Sequence, residues 1–139
     1  MNALSPHDAD GQSDREFFRN MYRLEHSVVA REVERNVLGH EVGLNGYTTV
    51  EQAQQICDAL ALSVGDRLLD LGAGRGWPGR LIAESSGCSL MSTDTPLQAL
   101  KDAKEYVAGL DANVVAADGR ALPFEAELFD AVSHADVFC

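Results

Sequence analysis

The sequence predicts an α/β fold with a parallel, doubly wound sheet. From Asp66 onward, short apolar runs alternate with segments of helical spacing, and the first run ends in a glycine-rich turn. Strands and helices that alternate in this way form parallel sheets with right-handed crossover connections. A chain of 139 residues suits a single domain with its own hydrophobic core. We therefore expect one α/β domain that carries a helical cap at its N-terminal side.

Four strands and two helices are predicted within residues 65–139, which form the sheet domain. Each predicted strand is a short apolar run, and the two predicted helices connect the first three of these runs. Pro78 is predicted in the first turn of its helix, a place that favours proline. The predicted strands are RLLDL (67–71), SLMST (89–93), NVVAA (113–117) and FDAVS (129–133), and the predicted helices are Pro78–Ser85 and Pro96–Val107.

A helical cap is predicted over residues 13–64, ahead of the strands. Ser13 and Glu16 have the spacing of a capping box, and the apolar residues after them recur every three to four positions, as on a buried helix face. This first helix is predicted to end at Gly39. Residues 1–12 include Ser, Pro, His, Asp and Gly residues and are expected to form a disordered tail. The predicted buried stripe consists of Phe17, Met21, Leu24 and Val28.

The second predicted helix of the cap follows a loop over residues 40–49. This loop is rich in turn-forming residues and includes the pair Asn45-Gly46. Thr48 and Glu51 repeat the capping-box spacing, so the helix is predicted to begin there. Its predicted apolar face comprises Ala53, Ile56 and Leu60.

The charge balance excludes some classes of partner. Eleven Lys and Arg residues against 22 Asp and Glu residues give a formal net charge of -11. Such a chain repels phosphate backbones and anionic lipid headgroups. No stretch approaches the ~20 consecutive apolar residues that a membrane span needs, and the N-terminus lacks the pattern of an export signal. We therefore expect neither a nucleic acid nor a membrane as partner.

The cysteines indicate neither a disulfide framework nor a metal site. Cys57, Cys88 and Cys139 are odd in number and widely spaced, which fits no zinc-binding pattern. Thiols of this kind are typical of a reducing compartment. The sequence therefore predicts a cytoplasmic protein without a bound metal.

The glycine-rich turn, LLDLGAGRGWPG over residues 68–79, indicates a ligand site. Gly72, Gly74 and Gly76 would let the backbone adopt angles that other residues avoid and approach a ligand closely. A turn needed only for packing a helix on a strand is the alternative, but three alternating glycines exceed that need. Gly74, Gly76 and Gly79 also match the G-x-G-x-x-G fingerprint of dinucleotide binders, so the turn alone leaves the cofactor class open.

Residues around the turn resemble class I S-adenosylmethionine (SAM)-dependent methyltransferases. Asp70 stands two positions before the first glycine, and the resulting Asp-x-Gly-x-Gly-x-Gly resembles motif I of that family. Asp94 ends the second strand, where both cofactor classes place an acid on the ribose hydroxyls. The segments AADGRALPF (116–124) and FDAVSHADVF (129–138) resemble the methyltransferase pattern and are not expected of a dehydrogenase. The resemblance covers residues 65–139.

The resemblance, which is to the small-molecule (methyltransferase type 11-like) enzymes, implies a Rossmann-like fold and S-adenosyl-L-methionine as cofactor. It implies that Asp118 accepts a hydrogen bond from the adenine amino group and that His134 lies near the methionine portion. Asp70 is expected to shape the loop by hydrogen bonding backbone amides. The implied cofactor contacts are Asp70, Gly72, Ala73, Gly74, Gly76, Asp94, Thr95, Asp118, Gly119 and His134.

Methyl transfer asks the protein mainly to align two reactants and exclude water. A base is needed only where the acceptor must lose a proton, and His134 is the candidate; the alternative is a strand-end histidine that orders its loop. In related enzymes N-terminal helices cover the active site, so Tyr22 and Tyr47 are candidate substrate or lid contacts. With Trp77, these rings could hold a small-molecule acceptor that is a cationic amine by cation–π attraction.

The resemblance also implies a sheet that is incomplete at the C-terminus. Class I methyltransferases have seven strands, whereas four are predicted in this sequence. The fourth strand would then have an open edge, which favours self-association or pairing with another chain. Three hypotheses stay open: an active methyltransferase, a SAM-binding fragment or module without turnover, and an NAD(P)- or FAD-binding Rossmann domain.

Overall fold

The computed structural model describes residues 28–38 and 47–137, together with the single residues Glu16 and Asn20. Helices and strands alternate from the second helix to the third strand, and the fourth strand follows without a helix between them, as the sequence predicts. The elements are α1 (Val28–Leu38), α2 (Val50–Leu60), β1 (Arg67–Leu71), α3 (Gly79–Ser86), β2 (Ser89–Asp94), α4 (Leu97–Tyr106), β3 (Ala112–Ala116) and β4 (Ala131–Ser133).

The four strands form one parallel sheet in the order β3-β2-β1-β4. The chain winds outward from β1 to β3 and then returns to place β4 on the other side of β1. In register, Asp70 of β1 lies between Ser92 of β2 and Ser133 of β4. The predicted Rossmann-like, doubly wound sheet is therefore confirmed. The reversal of strand order at β1 and β4 is the place where such sheets bind ligands.

The hydrophobic core lies between the sheet and helices α2 and α3. Leu68 of β1 and Ile82 of α3 are fully buried, and Leu90 of β2 is nearly so. Ile56 and Leu60 of α2 pack against this cluster, and Ala53 is itself buried. The apolar face predicted for the second helix is therefore confirmed.

The cap of α2 differs by one residue from the prediction. Thr49, not Thr48, is the N-cap: its hydroxyl accepts from the Gln52 amide at 3.2 Å, and the Gln52 side chain accepts from the Thr49 amide at 2.9 Å. The predicted box of Thr48 and Glu51 is wrong because Thr48 is engaged elsewhere. Its amide and hydroxyl donate to Asp136, and its carbonyl accepts from the Trp77 indole.

The other boundaries shift for local reasons. β4 begins at Ala131 rather than at residue 129, because the Asp130 carboxylate accepts the Arg67 amide at 2.7 Å in place of a strand carbonyl. Pro78 stands immediately before α3 rather than in its first turn. β3 begins and ends one residue earlier than predicted. These shifts leave the order and type of the predicted elements in the described ranges unchanged.

The described part of α1 does not bury the predicted stripe. Val28 is 76% exposed, so the prediction is wrong at this residue. The apolar spacing defines a helix face but cannot say whether another element covers it. Other predictions lie outside the described residues: the tail over 1–12, the stripe residues Phe17, Met21 and Leu24, the stop at Gly39, and Tyr22.

The outer edge of β4 is open in the described part of the chain. β4 pairs with β1 alone, and Val132 at its centre is 52% exposed. The predicted open edge is thus present, and self-association through it stays a prediction. None of the helices within the described ranges is both long enough and apolar enough to span a bilayer.

A buried carboxylate joins β1, β4 and α3. Asp70 is 1% exposed, and its Oδ1 accepts from the Ser133 hydroxyl at 2.8 Å. Its Oδ2 faces Gly79, whose amide lowers the carboxyl pKa without reaching the geometry of a full hydrogen bond. Burial is the larger effect and raises the pKa of Asp70 to about 6. The prediction that Asp70 hydrogen bonds backbone amides of the turn is therefore wrong in that detail: its full hydrogen bond is to the Ser133 hydroxyl, and the Gly74 amide binds Asp94 instead.

We expect Gly79→Ala to destabilise the fold. A Cβ at Gly79 would lie 2.7 Å from Asp70 Cγ, closer than real contacts allow. Overpacking of a buried site costs about 1–3 kcal/mol, and thermal unfolding measures the loss. Ser85→Ala, at an exposed position of the same helix, is the matched control. Equal stability of the two variants would show that Asp70 moves aside freely.

We expect Asp70→Asn to remove part of the pH dependence of stability. Asp70 titrates near 3.8 when unfolded and near 6 when folded, so the folded state alone keeps this proton between those values. Wild-type stability should therefore fall by about 3 kcal/mol relative to the variant as the pH rises from about 4 to about 7. Urea unfolding at several pH values in this range measures the free energy of unfolding of both proteins. A free energy of unfolding that changes with pH to the same extent in both would contradict the raised pKa of Asp70.

Candidate functional site

The glycine turn between β1 and α3 is held against the end of β2. The Ala73 amide donates to the Thr93 carbonyl at 2.9 Å, and the Gly74 amide donates to Asp94 Oδ2 at 2.7 Å. Gly72, Gly74 and Gly76 have φ values of 70°, 54° and 99°, in the left-handed region that other residues rarely adopt. The three glycines therefore bring bare backbone to the carboxyl edge of the sheet.

Asp94 links the glycine turn to the residue that follows β2. Its Oδ1 accepts from the Thr95 amide at 2.7 Å, while Oδ2 holds Gly74. Burial raises the pKa of Asp94, and the two amides partly offset that increase. A carboxylate offers about four acceptor positions, so two amides leave capacity for hydroxyl donors. Asp94 can thus accept hydrogen bonds from a ligand while it orders the glycine turn.

A cavity of about 330 Å³ lies outside the carboxyl ends of β1, β2 and β3. Apolar side chains form much of its wall, and polar groups enter it at Asp94 and Asp118. Such a pocket, largely apolar with a few convergent polar groups, is typical of a small-molecule or cofactor site. The lining residues are Leu71, Gly72, Asp94, Thr95, Ala117, Asp118, Gly119, Arg120 and Val137.

Five of the predicted cofactor contacts are brought together here: Gly72, Asp94, Thr95, Asp118 and Gly119. Ala73, Gly74 and Gly76 build the turn behind this wall and do not line the cavity. Asp70 lies beneath the turn in the core. His134 follows β4 directly, is exposed and lies outside the lining, so its contact with a cofactor and its role as a base stay predictions.

Asp118 is bound to its own chain at the far side of the cavity. Its Oδ1 accepts from the Arg120 amide and Nε at 3.0 Å each, and its Oδ2 accepts from Arg120 Nη2 at 2.6 Å. The hydrogen bond and the nearby negative charge raise the pKa of Arg120. An adenine amino group at Asp118 would therefore share the carboxylate with this exposed guanidinium. The predicted role of Asp118 is compatible with its place in the lining.

A second groove of about 410 Å³ lies beside the N-terminus of α2. Its lining includes Tyr47, which is 88% exposed, and Asp136, the residue next to Val137 of the first cavity.

The expectation that Trp77 offers its ring to a cation is wrong. Trp77 is 5% exposed and packs among Val50, Ala53 and Leu81. Tyr22 lies outside the described residues.

Arg75 was missed by the sequence analysis. This residue of the glycine turn is 2% exposed, and its guanidinium donates to the Tyr106 hydroxyl at 2.7 Å and stacks 5.2 Å from the ring centre. Its Nε lies 3.7 Å from Asp102 Oδ2, a buried ion pair. Arg75 thus ties the turn to α4. Asp102 could have indicated this contact, because it is an acid next to Ala99 and Ala103 on the apolar face of its helix, and a buried acid needs a partner.

Asp136 was also missed. Its Oδ2 accepts from the Tyr47 amide at 2.8 Å, the Thr48 amide at 3.2 Å and the Thr48 hydroxyl at 3.1 Å. The partners are 88 or 89 positions apart in the chain, so no local pattern could have indicated the contact. Within the described ranges, no group of three or more His, Cys, Asp or Glu side chains is arranged to hold a metal ion.

Comparison with known proteins agrees with this geometry. A family model described as a methyltransferase domain matches residues 68–139, which is 72 of the 139 residues. Among proteins with curated descriptions, none shows significant similarity to the chain. The match includes the glycine turn, Asp94, Asp118 and β4.

Solved structures share the fold. A SAM-dependent methyltransferase from Geobacter sulfurreducens, in complex with S-adenosyl-L-homocysteine, is 20% identical with a TM-score of 0.61; 68% of this chain and 39% of that chain are covered. A SAM-dependent methyltransferase from Thiobacillus denitrificans, with the same ligand, is 23% identical with a TM-score of 0.56, covering 76% and 43%. YjhP from E. coli is 21% identical with a TM-score of 0.60, covering 69% and 40%.

The chain spans about two fifths of the length of these structures. At such identities the likeness establishes the fold, and the family match covers more than half of the chain. The chain therefore belongs to the methyltransferase-domain family, with the Rossmann-like fold of the class I enzymes that use S-adenosylmethionine.

Proposed function

We propose that this chain transfers a methyl group from S-adenosylmethionine to a small-molecule acceptor. The observation that carries the proposal is the position of Asp94. Its carboxylate holds the glycine turn at Gly74 and lines the cavity at the carboxyl edge of the sheet. An acid after the second strand, beside a glycine turn, suits the ribose hydroxyls of a nucleoside cofactor.

The lining residues fit the parts of S-adenosylmethionine. Asp94 would accept from the ribose hydroxyls, and Asp118 with the Gly119 backbone would meet the adenine. Gly72 brings bare backbone to the cavity, where we place the amino-acid portion, and Val137 packs so closely on it that a Cβ there would lie 2.5 Å from Val137 Cγ2. Leu71, Ala117 and Val137 supply apolar walls that exclude water.

The chain needs little chemistry of its own. The bound cofactor would supply a methyl group already activated on a positively charged sulfur. The protein then has to hold the acceptor in line with that methyl group and exclude water. A base is required only for an acceptor that loses a proton, and His134 stays the candidate for that step.

The groove beside α2 supports a small acceptor. It lies next to the cavity, because Asp136 lines the groove and Val137 lines the cavity. The amides of Gln52 and Gln55, the Asp136 carboxylate and the Tyr47 ring offer hydrogen bonds and an aromatic surface to a compact polar molecule. A net charge of -11 disfavours a nucleic acid in this place.

We expect Asp94→Ala to lose binding of S-adenosylhomocysteine, the demethylated cofactor. Removing a carboxylate that accepts ribose hydroxyls and orders the turn should weaken binding by a factor of about ten to a hundred or more, the size of one or two charge-assisted hydrogen bonds. Isothermal titration calorimetry with the purified chain measures this loss. The variant should keep its circular dichroism spectrum.

Asp58→Ala is the matched control for this experiment. It removes one carboxylate from the exposed side of α2, where Asp58 bonds only the side chain of Gln54 among the contacts described, and it lies outside both cavities. Its affinity should equal that of the wild type. Saturable binding of NAD in place of S-adenosylhomocysteine would contradict the proposal. Binding of S-adenosylhomocysteine, without methylation of any acceptor by S-adenosylmethionine, would favour a SAM-binding module.

A further inference from the structure

Three residues from distant parts of the chain form a clasp, which we define as Thr48, Trp77 and Asp136. The Thr48 amide and hydroxyl donate to Asp136 Oδ2 at 3.2 and 3.1 Å. The Thr48 carbonyl accepts from Trp77 Nε1 at 2.8 Å. Every backbone and side-chain polar group of Thr48 is therefore bound, on one side by Asp136, three residues after β4, and on the other by Trp77 of the glycine turn.

The backbone of Asp136 indicates that the clasp is held in place. Its φ is 58°, a left-handed value that costs energy for residues other than glycine and, to a smaller extent, asparagine and aspartate. Such a conformation persists only where the surrounding contacts determine it. The three hydrogen bonds to Oδ2 supply those contacts.

The clasp adjoins the cavity on two sides. Val137 follows Asp136 directly, lines the cavity and lies over Gly72. Trp77 belongs to the turn whose amides bind Asp94 and β2. A ligand that contacts Gly72 and Val137 therefore acts on segments that also hold Asp136 and Trp77.

We propose that Asp136 is a positioning residue whose carboxylate holds Tyr47 and Thr48, the described residues just before α2, against the glycine turn, so that cofactor binding and the clasp stabilise each other. The proposal rests on the proposed function for its ligand. Asp136 touches neither the cofactor nor the transferred methyl group in this account; it acts through Thr48 and through its neighbour Val137.

Fluorescence of Trp77 reports on the clasp directly, because this is the only tryptophan of the chain. Asp136→Gly removes the carboxylate but favours the positive φ, so its effects come from lost hydrogen bonds and not from backbone strain. Asp136→Asn keeps one acceptor oxygen and also tolerates the positive φ. Asp58→Asn, on the exposed side of α2, is the control for the loss of one negative charge.

We expect Asp136→Gly to shift Trp77 emission to the red and to increase its quenching by acrylamide, because Thr48, whose carbonyl accepts from the indole, is no longer held in place. Asp136→Asn should stay close to the wild type, and Asp58→Asn should match it. Unchanged emission in a folded Asp136→Gly variant, judged by circular dichroism, would overturn the proposal without any ligand being needed.

Titration with S-adenosylhomocysteine then tests the coupling. Its affinity should fall about tenfold in Asp136→Gly, the size of one charge-assisted hydrogen bond, and be largely restored in Asp136→Asn. Equal affinity in all variants would overturn the coupling and leave the proposed function intact. Absence of binding to the wild type would instead refute the proposed function, and the emission of the free variants would still decide whether the clasp exists.

Discussion

The carboxylate of Asp70 has to fit beneath the turn from β1 into α3, and the site depends on that fit. Ser133 of β4 and the backbone of Gly79 are its immediate neighbours, so the first strand, the fourth strand and the first crossover helix are fixed together at one point. The glycine turn above this point then meets β2 through Ala73 and Asp94. Burial of an acid is unfavourable unless such neighbours stabilise it.

The sequence predicted the strands of the sheet more accurately than the contacts made by the residues around it. Apolar runs of strand length, separated by helical spacing, are local signals, and they located β1 to β4 within two residues. The cap of α2 was placed one residue early because Thr48 and Thr49 have equal intrinsic capping ability. Contacts of Thr48 with Trp77 and Asp136, 29 and 88 positions away, decide between them.

The site divides in the same way. Gly72 and Asp94 carry signals in their type and spacing, and both line the cavity. The roles of Arg75 and Asp136 depend on partners that only the folded chain brings near. Arg75 contacts Tyr106 and Asp102, and Asp136 contacts Tyr47 and Thr48. The first set of contacts joins the glycine turn to α4, and the second joins the segment after β4 to the residues just before α2. Part of the cavity lining was therefore predictable, while the contacts that hold its walls in place were not.

If this chain binds the cofactor as proposed, the contacts lie at the carboxyl edge of the sheet. Nuclear magnetic resonance of the isotope-labelled chain, titrated with S-adenosylhomocysteine, tests it residue by residue. The amides of Gly72, Gly74, Thr95 and Gly119 should shift on binding, whereas Gly65, Gly87 and Gly109, which precede the strands at the opposite edge, should not. Shifts confined to those three glycines, or no shifts at saturating ligand, would contradict the account.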